Sequence, residues 1–154
     1  MTPAQRLAAA EAFWRDESAE DIQAQHIEAL VLLARRLNFR AKSVQALSTE
    51  KRTRHLSQIG DVSDAIATRA LIAYHFQTQR PLMAAFLDAL GISHDNGLIT
   101  EENVATPDPV RLAAAIDQIR AAFPADDVTF YLRTLAALDS DTWGAIEGIL
   151  ARTV

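Results

Sequence analysis

The chain has 154 residues, 49% of them apolar and 23% charged, with a formal net charge of −5 and no cysteine. That length suits one domain able to bury roughly 70% of its unfolded surface, and this much apolar material excludes intrinsic disorder. The absence of cysteine excludes a disulfide framework and thiolate chemistry and fits a reducing, cytoplasmic setting; no apolar run approaches the roughly 20 residues that span a bilayer, and no signal-peptide pattern opens the chain, so no membrane contact is expected.

Thr2-Pro3-Ala4-Gln5 reads as a capping box with proline at the first helical position, opening a helix that buries Leu7, Ala10, Phe13 and Trp14. Ser18-Ala19-Glu20-Asp21 opens a second helix in the same way. Its apolar stripe is Ile22, Ala29, Leu30, Leu33 and Leu37, with Ile27 and Ala34 at the edge. A basic segment follows, with Ser43 the expected cap of a surface helix running to about Gly60 and only Val44, Leu47, Leu56 and Ile59 to bury.

Asp61 is the expected cap of the next helix, which places Val62, Ile66, Ala73 and Phe76 on one side and Asp64, Thr68 and His75 on the other. Arg80-Pro81 ends it, and Pro81 starts another helix burying Leu82, Met83, Phe86, Leu87 and Leu90. Gly91 suits a left-handed cap and Asn96-Gly97 a tight turn. The connection from Ile92 to Pro107 is long for a compact domain and therefore a candidate functional loop.

Asp108-Pro109 opens a helix with Leu112, Ile116, Ile119 and Phe123 in register, closed by Pro124. Asp126-Asp127 begin another, carrying Val128, Tyr131, Leu132, Leu135 and Leu138. Asp139-Ser140-Asp141 caps the last, which buries Trp143, Ile146, Ile149 and Leu150. The expected fold is all-α: a single helical domain over residues 1–154, a compact bundle or array of about seven antiparallel helices.

Candidate chemistry is sparse. No phosphate loop, nucleophile elbow, dinucleotide fingerprint or Ca²⁺ loop occurs. None of His26, His55, His75 and His94 has a His or Glu partner at i±3 or i±4, so no metal site, cofactor or catalytic residue is assigned. Folding the Pro81 helix back on its predecessor leaves the His94 loop a helix length from Arg80, which argues against an acid–base site there. His26 falls in the second helix's apolar stripe. It either lines an internal site or, the preferred reading, is a core histidine bonded to a carbonyl or carboxylate. Arg69 falls on an apolar face, where it extends its head to solvent, pairs with a carboxylate, or lines an anion pocket with His26.

The one global asymmetry is charge. Arg35, Arg36, Arg40, Lys42, Lys51, Arg52 and Arg54 fall together with a single acid, Glu50, while the rest of the chain is acidic. Such a surface suits a protein partner or a second copy of the chain, or else the cations face the protein's own acidic helices. Nucleic acid is disfavoured, because the remaining surface repels a polyanion and, His55 aside, the segment is read as lacking aromatic residues for stacked bases. The leading expectation is a non-enzymatic interaction or regulatory module with this basic contact surface. The alternatives are a small-molecule or anion binder, or an enzyme, with a pocket around His26 and Arg69, and nucleic-acid binding through Arg35 to Arg54.

Overall fold

A computed structural model describes residues 1–18 and 20–152; the expected cap segment 18–21 includes Ala19, which lies outside them. The described residues form an all-α fold of ten helices and one short hairpin. None of these helices is long and apolar enough to cross a membrane. The chain divides into two compact units, Met1–Gln77 and Thr78–Val154.

The first unit opens with α1 (Pro3–Arg15), whose Thr2–Gln5 capping box is complete: each side chain meets the other's backbone N–H, at 3.1 and 2.9 Å. Helix α2 (Ile22–Leu37) ends where Asn38 turns left-handed, φ 54°, and the Phe39 N–H reaches back to the Ala34 carbonyl at 2.9 Å. Asparagine tolerates that conformation better than a branched side chain, so Asn38 stops the helix where glycine would otherwise be expected.

The basic segment is not one helix capped by Ser43. It splits into α3 (Ala41–Gln45) and α4 (Thr49–Ser57), because Ser48 accepts from the Lys51 N–H at 3.3 Å and opens a fresh first turn. Helix α5 (Asp64–Thr78) is likewise not capped by Asp61. Ser63 takes that position, and the Asp61 carboxylate pairs instead with Arg36. Phe13, Trp14, Ile22, Ala29, Leu33, Val44, Leu56 and Ile66 make the core of this unit.

Two residues leave their expected faces. Leu7 is exposed, since α1 buries the arc through Ala9, Ala10, Phe13 and Trp14. His75, expected opposite the apolar face, is buried at 3% exposure. Helix α5 keeps its exposed acid, Asp64, in the first turn, while its second half, from Ala70 to Phe76, is apolar apart from His75.

In the second unit the helix break falls at Gln79, and α6 (Arg80–Leu90) carries Pro81 in its first turn. Gly91 closes it in the left-handed conformation, φ 67°. The long connection then contains a hairpin, β1 (His94–Asp95) paired antiparallel with β2 (Leu98–Ile99), His94 opposite Ile99. Asn96 and Gly97 both have positive φ, 46° and 87°, which suits a two-residue turn of this hand.

Helix α7 (Pro109–Ala122) is capped by Asp108, which accepts from two N–H groups, and α8 (Ala125–Leu138) follows Pro124. The last segment divides at Gly144 into α9 (Ser140–Trp143) and α10 (Ala145–Arg152). Helix α7 packs on α6, α8 and α10. The Phe86 ring lies 5.7 Å from Tyr131 and 5.8 Å from Trp143, and Leu112, Ile116, Leu132 and Ile146 are fully buried. Leu138, expected in the α8 stripe, is exposed in the last turn.

Candidate interaction surface

His26 and Arg69 both attach to the C-terminal end of α1, by different routes. His26 Nε2 lies 2.7 Å from the Phe13 carbonyl, so that nitrogen carries a proton and donates. The ring sits edge-on to Phe13, centroids 4.9 Å apart, and 5.4 Å from Trp14. Arg69 Nε donates to Asp16 and its Nη2 donates to Ser18 Oγ at 2.6 Å. Burial acts to raise the Asp16 pKa, but the hydrogen bonds from Arg69 and Ser18 outweigh it and hold the carboxyl below its ordinary value.

The cleft at Arg69 does not include His26 among its described lining residues. It is open, about 350 Å³ in volume, and lined by Arg69, Asp21, Gln25, Asp64, Thr68 and Ile72. Two of its lining groups are carboxylates, the wrong sign for an anion, and Arg69 is already paired.

The basic residues separate into two sets. Arg36 pairs with Asp61, and Arg54 with Glu50 at 2.9 Å. Arg52 lies over the Trp14 ring, 5.0 Å from its centroid, and donates to Thr49 Oγ1 at 3.3 Å. These three serve the unit's own structure. Arg35, Arg40, Lys42 and Lys51 are exposed and, among the described residues, make no ion pair.

Close in the chain to Arg35, Arg40 and Lys42 lie exposed apolar residues that the sequence reading did not place on the surface. Ile27, Val31 and Arg35 recur at four-residue steps and so share one ridge of α2. Ile27 is 62% exposed and Val31 is also exposed. Phe39 follows at 50% exposure, pinned over the last turn of α2 by its backbone bond to Ala34. The basic segment therefore does contain an accessible aromatic residue, correcting the expectation that it offered none besides His55. Phe39 follows the last α2 turn and precedes α3, so no helical period marked it for exposure or burial.

The hairpin corrects a second expectation. It folds back along α6, and Arg80 Nη1 donates to the Asn96 carbonyl at 3.0 Å, so a helix length does not separate them. His94 nevertheless has no free ring nitrogen: Nε2 meets Asp88 at 3.0 Å and Nδ1 accepts from the Gly97 N–H at 3.2 Å. Both nitrogens are spent on holding the turn. Among the described residues no group of three or more His, Asp or Glu side chains is placed to hold a metal ion.

No protein-family model matches the chain, and comparison with curated proteins and with solved structures found no match.

Proposed function

We propose that the protein is a non-enzymatic interaction module that docks an acidic, amphipathic segment of a partner protein on the α2–α3 corner. The observation that carries this reading is the exposure of Ile27, Val31 and Phe39 close in the chain to Arg35, Arg40 and Lys42, which are exposed and among the described residues make no ion pair. An apolar strip supplies contact area, and a fringe of one charge sign selects and orients the partner. The rest of the chain is acidic, so the same fringe accepts a second copy as well as a different protein. A cytoplasmic setting, expected from the cysteine-free sequence, belongs to the same reading.

The test is a labelled helical peptide with one apolar face and acidic flanks, set against the same peptide with basic flanks and against single-stranded oligonucleotide. The acidic peptide should bind, weaken with salt, and lose at least tenfold in affinity when Arg35, Arg40 and Lys42 are changed to Glu. Equal affinity for both peptides, or tighter binding of the oligonucleotide, would overturn the reading. Light scattering across a concentration series reports whether a second copy occupies the surface.

A further inference from the structure

A cleft of about 260 Å³ opens in the first unit, lined by α1, the end of α4 and the start of α5. Small side chains leave the space open: Ala10 of α1 and Ala67 and Ala70 of α5 line it, with Leu56 and Ile66 forming much of its apolar wall. Its residues are distinct from those of the docking strip. An apolar cavity of about 150 Å³ accepts a benzene ring, so this one has room for a straight chain of about eight to ten carbons.

Arg6 is the one charged side chain of the lining, and Met1, which bears the α-amino group, lines the cleft as well. Arg6 precedes Ala10 by one turn of α1, is exposed, and among the described residues makes no ion pair. Among the described residues no carboxylate lines the cleft, although the chain carries 20 acidic residues. An apolar trough with a lone guanidinium favours a ligand with a hydrocarbon body and one anionic end, because the guanidinium fork pairs with a planar carboxylate.

We infer that this cleft binds a medium-chain monocarboxylate, its chain over Ala10, Leu56 and Ile66 and its carboxylate at Arg6.

The test is calorimetric titration of the whole protein with hexanoate, octanoate and decanoate, each below its micelle threshold. Affinity should tighten about fourfold per added carbon and level off once the cleft is full. Decanoate should bind more tightly than decanol or decyltrimethylammonium, and Arg6→Gln should bring decanoate down to the level of decanol. Ala70→Leu, which narrows the trough, should make affinity level off at a shorter chain. If that variant fails to fold, Arg6→Gln at an exposed position carries the test. Absence of saturable decanoate binding overturns the inference. So does a wild-type preference for decanoate that Arg6→Gln leaves unchanged, or a cleft closed by self-association at the concentrations used.

Discussion

Arg69 Nε donates to one oxygen of Asp16 while the other accepts from the Ser18 N–H at 2.9 Å and the Ser18 hydroxyl at 2.6 Å. The carboxylate is thus satisfied on both sides in a position only 5% exposed. Removing one partner leaves a buried charge uncompensated, which costs about 3–5 kcal/mol for fully buried pairs. Arg69 retains 19% side-chain exposure, so the cost here falls at or below the lower end of that range. Arg69→Met should therefore destabilise the protein, as should Asp16→Asn. The double variant should lose less than the sum of the two. Urea unfolding of the four proteins closes the cycle, and additive losses would show that the pair is not coupled.

His75 sets a pH window. Burial lowers its pKa from 6.5 to about 4, so the folded protein holds it neutral where the unfolded chain takes up a proton. Its contribution is complete above about pH 6.5 and is lost as pH falls toward 4, about 3 kcal/mol in all. Asp16, held below its ordinary 3.8, makes a separate contribution that disappears only at lower pH still. Denaturation measured from pH 7.5 to 4 should show the first loss in the wild type and a flatter profile in His75→Leu. An unchanged slope in the variant would assign the loss to other groups.

The basic segment should split under mutation as its contacts do. Arg52→Ala gives up the ring of Trp14 and should cost about 0.5–2 kcal/mol. Arg40 and Lys42 are exposed and make no ion pair among the described residues, so Arg40→Glu and Lys42→Glu should leave the melting temperature within a degree or two. Binding of the acidic peptide should report the reverse order. Charge reversal at Arg52 and Arg54 is accordingly a poor probe of docking, since both side chains serve intramolecular contacts.

Two glycines should respond with opposite sign. Gly97 sits at φ 87°, and a methyl there would lie 2.8 Å from Met83 Cβ and 3.3 Å from the Arg80 carbonyl. Gly97→Ala should cost about 1–3 kcal/mol from the backbone alone, with loss of the His94–Gly97 bond visible in the amide spectrum. Gly148 lies within α10, and a methyl there meets nothing within 4 Å. Gly148→Ala should stabilise by about 0.5–1 kcal/mol. A loss instead would mean that another helix approaches that face in solution.

What could be read from the chain was local. Thr2 with Gln5, Gly91, Asn96-Gly97 and Asp108-Pro109 each act over three or four residues, and each sits where its chemistry predicts. Asp61 is not the cap because α5 begins only at Asp64, where Ser63 is close enough to accept from the Ile66 N–H, and the Asp61 carboxylate meets Arg36, far away in sequence. Asp16 and Arg69 are 53 residues apart, so their pairing exists only after the helices have closed. Arg69 was legible as a misplaced charge on an apolar face, but not which carboxylate answers it. Ile27 and Val31 were the strongest available signal for the docking strip, two large apolar residues off the main α2 stripe, and the edge position of Ile27 understated its 62% exposure.

Helix α1 is fastened from several sides: His26 to the Phe13 carbonyl, Gln77 to the Ala12 carbonyl at 3.0 Å, Arg69 to Asp16, and Arg52 over Trp14. Covalent continuity into α2 is therefore not what keeps it seated. A polypeptide severed anywhere between Glu17 and Asp21 should still elute as one particle under native conditions and come apart only in detergent, making that junction a natural place to divide the protein into two complementing fragments.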